Sequence, residues 1–137
     1  MKEILWEDVK HEDKLEVIRM LSQVQPSKLI VSDHALERME QRKIPMQKVL
    51  DVFYHIDKAK IILLHFTYNR CTLLLRKRIS KYQDICVCYD INRNTVVSVY
   101  CNRNNDFHAT RKMEYVSNKI EVAKELKLIQ KNLKKMN

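Results

Sequence analysis

An α+β fold is what this sequence predicts, because its hydrophobic pattern changes period twice along the chain. Up to about residue 55 apolar side chains recur at helical spacing, and between about 59 and 102 they form short runs separated by polar clusters. The second pattern is that of an antiparallel meander. Beyond about residue 110 helical spacing returns. A third observation is length: 137 residues suffice for one core and are too few for two. The expectation is a single domain over 1–137, with a helical extension (1–27), a core (28–103) and a long C-terminal helix (104–137).

The elements follow in order. From about Asp8 to Gln23, Val9, Leu15, Ile18 and Leu21, flanked by Met20 and Val24, predict an amphipathic helix. It stops before Pro26, because the residue preceding proline avoids helical backbone. Lys28 to Val31 is a short β-branched run, after which Ser32 or Asp33 caps a helix ending near Lys43. Pro45 suits the first turn of another helix reaching about His55, with Val49, Leu50, Val52 and Phe53 on its buried side. Four antiparallel strands are expected at Ala59 to Phe66, Cys71 to Arg78, Asp84 to Asp90 and Thr95 to Asn102. A last helix runs from about Thr110 to Lys135, where Val122, Leu126, Ile129, Leu133 and Met136 form a four-three-four-three seam. That seam docks on the sheet or on a second copy of itself, giving a homodimer.

Composition narrows the function classes. Lys and Arg total 26 against 17 Asp and Glu, a surplus of +9, which favours a polyanionic partner, nucleic acid first. The competing account is that lysine-rich composition only keeps the protein soluble. Glycine is absent, where ordinary usage would give roughly ten. That removes the phosphate-cradling loop, the dinucleotide fingerprint and the nucleophile elbow, each of which needs glycine where backbone approaches a ligand or takes positive φ. Turns must rest on Asn and Asp, and Asn92, Asn94, Asn102, Asn104 and Asn105 stand where turns are needed. The first residues have no signal-peptide pattern and no run nears 18 apolar residues, so a cytoplasmic location without a membrane partner is expected. The four cysteines, Cys71, Cys86, Cys88 and Cys101, are then reduced thiols.

The densest chemistry lies between Ser32 and Arg42. At 100° per residue His34, Arg38 and Arg42 share one stripe, beside the apolar positions Ala35, Leu36 and Met39. An imidazole moves protons and a guanidinium grips two phosphate oxygens, so the stripe suits a phosphodiester. Alternatively, the two arginines pair with Glu37 and Glu40 as a solvated face.

In the last hairpin, a turn tip at Asn92 and Arg93 sets Cys88 opposite Val97 and Cys86 opposite Val99. Cys86, Cys88 and Cys101 then share an apolar face as small hydrophobes; their C-x-C spacing lacks the turn that wraps zinc. The opposite face offers Tyr89, Ser98, Tyr100 and Asn102, continuing into Arg103, Asn104, Asn105, Asp106 and His108. Rings that stack on bases, with Arg76, Lys77, Arg78 and Lys81 at the neighbouring edge, suit single-stranded RNA. The competing account has these tyrosines covered by the last helix. Metal-free RNA cleavage needs a base, an acid and cations; His34 and His108 can exchange protons while Arg38, Arg42 and Arg103 clamp the phosphate. No carboxylate pair suggests a metal, and no cofactor is implied.

The segment Ser32-x-His34-Ala35-x-x-Arg38-Met39-x-x-Arg42-x-Ile44, followed by a helix containing Val49, resembles the opening motif of a family of small bacterial and phage proteins similar to RelE and BrnT toxins. The resemblance spans about residues 28 to 103. It implies a RelE-like fold, two helices before a curved antiparallel sheet, with His34, Arg38 and Arg42 at the site and Tyr100, Asn102 and Arg103 at the end of the last strand. Two positions depart from the pattern: Lys43 stands where relatives usually have glycine, and Pro45 where they have a Ser or Thr cap. The first functional reading is a toxin-type, metal-independent endoribonuclease with a protein antitoxin. The second is a noncatalytic nucleic-acid-binding or phage accessory protein, an inhibitor acting through the same basic surface. A module binding protein through the terminal helix is the third.

Overall fold

A computed structural model describes residues 2–105 and 120–136. Strand β1 (Lys2–Leu5) leads through a turn at Trp6–Asp8 into helix α1 (His11–Ser22). Strand β2 (Ile30–Val31), helix α2 (Asp33–Gln41) and helix α3 (Met46–Tyr54) follow. Then come β3 (Lys60–Phe66), β4 (Cys71–Arg78), β5 (Gln83–Asp90), β6 (Thr95–Arg103) and helix α4 (Val122–Lys135). All six strands join one sheet in the order β1-β3-β4-β5-β6-β2.

The expected four-stranded antiparallel sheet is therefore corrected to a six-stranded mixed one. β3 to β6 do form an antiparallel meander, but β1 adds to it antiparallel against β3, and β2 adds parallel to β6, Ile30 opposite Thr95 and Val31 opposite Val96. Both additions are too short, at four and two residues, for a period-two pattern to announce them. Residues 1–27 are likewise no helical appendage: Ile4 of β1 and Val17 and Leu21 of α1 lie in the main core.

The long C-terminal helix is also corrected. Glu121 is extended (φ −92°, ψ 102°) and α4 runs for 14 residues from Val122, where the four-three seam begins. The expected portion at 110–119 lies outside the described residues. In α4, Val122, Leu126 and Ile129 are buried within the chain's own core.

One sheet face carries that core. Leu64, Phe66, Leu73, Leu75, Ile85, Val87, Val96 and Val99 meet Val17 and Leu21 of α1, Ala35 and Met39 of α2, Val49 and Phe53 of α3, and the α4 seam in one cluster. Alternate residues point the other way, where Leu63, Leu74 and Cys86 form a smaller cluster with Leu5, Cys88 and Tyr100.

The β5–β6 register explains which residues reach which face. Beside the turn the expected pairing holds, with Asp90 opposite Thr95 and Tyr89 opposite Val96. The register then shifts, so Cys88 faces Ser98, Val87 faces Val99 and Cys86 faces Tyr100. Val97 is the extra residue, and such a bulge moves every later side chain of β6 to the other face. Cys101 thus lies with the main core, while Cys86 and Cys88 share the opposite side with Tyr100. The three thiols do not share a face.

Among the described residues only Lys43 (φ 56°) and Asn94 (φ 51°) take positive φ. Asn94 tolerates that region through its short polar side chain, whereas lysine reaches it at a steric cost. No helix among the described residues is long and apolar enough to cross a membrane.

Candidate nucleic-acid interface

Helix α2 lies beside β6 and positions the predicted basic stripe. The Ser32 hydroxyl caps it by accepting from the Ala35 N–H at 3.1 Å, and the Ser32 N–H donates to the Val96 carbonyl at 3.0 Å. Ala35 and Met39 are buried and Leu36 is exposed, which leaves His34, Arg38 and Arg42 along the flank. His34 is exposed. Arg38 donates through Nη1 to Gln41 Oε1 at 2.9 Å, and Arg42 donates through Nη1 to the Val99 carbonyl at 2.6 Å. Neither arginine forms an ion pair with Glu37 or Glu40 among the described contacts. Arg42 instead satisfies a carbonyl on the side of β6 that β2 is too short to reach. Its charge-assisted bond fastens the end of α2 to that strand.

Of the expected sheet residues, Tyr89 is corrected outright. It is 1 % exposed, donates from its hydroxyl to Asn94 Oδ1 at 2.7 Å and sets its ring edge-on to Phe53 with centroids 5.0 Å apart. Burial, with the nearby Asp90 charge, pushes its phenol up to about 12. A ring in that setting cannot stack on a base. Tyr100 and Asn102 do lie on the side away from the main core, with Tyr100 packed against the smaller cluster.

Three consecutive cations on β4 have different placements. Arg76 is buried; its Nε donates to Asp84 Oδ2 at 2.6 Å and its Nη2 to the Arg103 carbonyl at 2.7 Å. Lys77 reaches Asp51 Oδ2 on α3 at 3.2 Å. Arg76 and Lys77 thus join elements and are not displayed for a ligand. Arg78 is exposed and bonds the carbonyls of Ser80 and Lys81 at 3.1 and 2.9 Å.

The antiparallel register sets Gln83 opposite Arg103, so the turn between β4 and β5 sits beside the end of β6. Between them lies a groove of about 770 Å³ lined by Arg78, Lys81, Tyr82, Arg103, Asn104 and Asn105, together with Ser80 and Gln83. Three permanent cations line it and no carboxylate does. The adjacent Asp84 carboxylate is occupied by Arg76 on one oxygen and by the Asn104 amide, 2.6 Å away, on the other. No known family, curated protein or solved structure matches this chain.

The expected residues therefore divide between two places. Arg78 and Arg103 meet in the groove with Asn104 and Asn105, and with Tyr82, which the sequence did not mark as a binding residue. Its signal was an aromatic beside a lysine inside a turn, but only strand pairing brings Arg103 next to it. His34, Arg38 and Arg42 lie along the length of β6 instead. Ser32 anchors the start of α2 at Val96, and at 3.3 Å per residue Arg103 is about 23 Å farther along the strand. His108 lies outside the described residues. Among the described residues no three His, Cys, Asp or Glu side chains converge as a metal site.

Proposed function

We propose that this chain is an RNA-binding protein whose contact surface is the basic groove between the β4–β5 turn and the end of β6. The observation that carries this reading is the lining itself: Arg78, Lys81 and Arg103 with an exposed tyrosine and two asparagine amides, and no carboxylate. Such a lining suits a phosphate chain, and the +9 surplus draws the same polyanion from a distance. Four free thiols suit a cytoplasmic location.

The test is fluorescence anisotropy with a labelled RNA 12-mer over a salt series. Two or three phosphate contacts give a log–log slope of about −1.4 to −2.1 at about 0.7 per contact. Arg103→Ala and Lys81→Ala should each flatten the slope by about 0.7 and weaken binding severalfold. A slope unchanged in both variants would rule the groove out.

The toxin-type endoribonuclease remains a second reading, favoured by one observation. His34 is exposed beside Arg38 and Arg42 on a helix held against β6, an arrangement suited to proton transfer at a clamped phosphate. Its test is RNA cleavage in EDTA by the parent, His34→Ala and Arg38→Ala. Cleavage lost in both variants supports the enzyme, and a parent that leaves the RNA intact overturns it. The antitoxin partner belongs to this reading alone.

A further inference from the structure

Resting on the groove's proposed role in binding RNA, we infer that its ligand is an unpaired strand, one base of which stacks on the open face of Tyr82. The groove is a rigid frame that displays a few free donors and one ring.

The β4–β5 turn is cross-linked beyond what a surface loop requires. Ile79 and Ser80 donate their N–H groups to the Gln83 carbonyl at 3.0 and 3.2 Å, and the Ser80 hydroxyl accepts from the Tyr82 and Gln83 N–H groups at 3.3 and 3.1 Å. Arg78 holds the Ser80 and Lys81 carbonyls. Across the groove the Asn104 N–H donates to the Tyr82 carbonyl at 2.9 Å, and the buried Arg76 holds the Arg103 carbonyl. Every backbone carbonyl from Ser80 to Gln83, and that of Arg103, is therefore engaged as an acceptor. The side chains projecting from this frame are donors: the Lys81 ammonium and the Arg103 guanidinium. Consumed acceptors and outward donors select a ligand rich in acceptor oxygens. A frame already fixed avoids the ordering cost that a loose loop would incur on binding.

Tyr82 supplies the second half of the argument. It is 70 % exposed although its backbone is bonded on both sides. The Lys81 ammonium lies 5.5 Å from its ring centroid, so one face of the ring is occupied by a cation and the other is open. A cation behind a ring strengthens its hold on a base stacked in front, because it draws the ring's π density toward itself and lessens the repulsion with the base's own π cloud. In a duplex the base faces are covered by their neighbours, so only an unpaired residue can present one to Tyr82. Arg103, in the same groove, then meets a flanking phosphate, and the Lys81 ammonium adds its charge from behind the ring.

The experiment uses the full chain and four oligomers of equal length: single-stranded RNA, the same RNA with abasic residues throughout its centre, a blunt RNA duplex, and single-stranded DNA. The expected order is single strand tightest, with Tyr82→Ala weakening it about tenfold and Tyr82→Phe keeping most of its affinity, in line with usual base–aromatic stacking. The abasic oligomer should bind Tyr82→Ala and parent alike. Because Tyr82 is exposed, the alanine variant should keep the parent's melting temperature. Equal affinity of parent for intact and abasic strands, or of Tyr82→Ala and parent for the intact strand, overturns the stacking while leaving phosphate binding by Arg103 and Lys81 in place. Duplex bound more tightly than single strand also overturns it. A single-stranded DNA arm that binds equally well keeps the stacking and widens the ligand to either sugar. If no oligomer binds, the groove's role as an RNA site falls with it.

Discussion

The residue that carries most of the local architecture is Asp84. One carboxylate oxygen takes the buried Arg76 guanidinium and the other the Asn104 amide, so a single side chain ties β4, β5 and the segment after β6. Its partner is almost wholly enclosed, the two side chains being 6 % and 15 % exposed. Removing one member of such a pair strands the other's charge. Asp84→Ala should lower unfolding stability by about 3 kcal/mol in urea titrations, with Asp84→Asn falling between because the amide retains a polar partner. Arg76, expected to meet nucleic acid, shows what sequence could not convey: a cation on a strand looks the same whether it meets solvent or a buried carboxylate. Its fate depended on Asp84 lying diagonally across the ladder, opposite Arg78 and two residues nearer the turn, which is a matter of register. His34 and Arg78 are exposed, although the Arg78 guanidinium is engaged by the Ser80 and Lys81 carbonyls.

Among the elements, α2 was the most legible because its start, period and contents agree: a serine cap, buried Ala35 and Met39, and an exposed flank. Its exit was less so. Lys43 leaves the helix at φ 56°, in the region where a side chain costs about 1–2 kcal/mol and glycine nothing. A glycine's extra freedom in the unfolded chain returns part of that difference. Lys43→Gly should therefore stabilise the protein by up to about 1 kcal/mol, read as a shifted urea midpoint with unchanged slope. Ser32→Ala, losing the cap, should cost about 1 kcal/mol in the same assay. The strands were legible for a different reason. The antiparallel meander announced itself through alternating short runs, and its four strands lie within a residue of expectation. β1 and β2 carry too few residues for any period, and the bulge at Val97 has no sequence mark, since a valine in a β-branched run reads as regular strand. That one unmarked residue put Tyr89 and Tyr100, expected on one face, on opposite faces and divided the cysteines likewise.

At the scale of the molecule, the core contains acids that ionise only once it opens. Burial pushes the Cys86 thiol up to about 12, from an ordinary 9.0, raises Cys71 further still, and lifts the Tyr89 phenol from 10.0 to about 12. Above pH 9 the unfolded chain releases these protons first and so binds fewer than the native one, which makes stability fall as pH rises. The contribution is complete below about pH 9 and is lost progressively toward pH 12. Urea midpoints at pH 8 and pH 10.5 should show that decline, and it should shrink in Cys86→Ala measured against its own pH 8 value. The two margins of the sheet, finally, are finished differently. Along β6 the strand is shielded by a helix whose Arg42 occupies a carbonyl, whereas among the described residues no strand lies beyond β1. The two borders thus offer different backbone to a neighbouring molecule. Were two copies to meet β1 against β1, each would cover the other's margin, giving a closed couple where head-to-tail pairing through unlike margins would extend into a fibre.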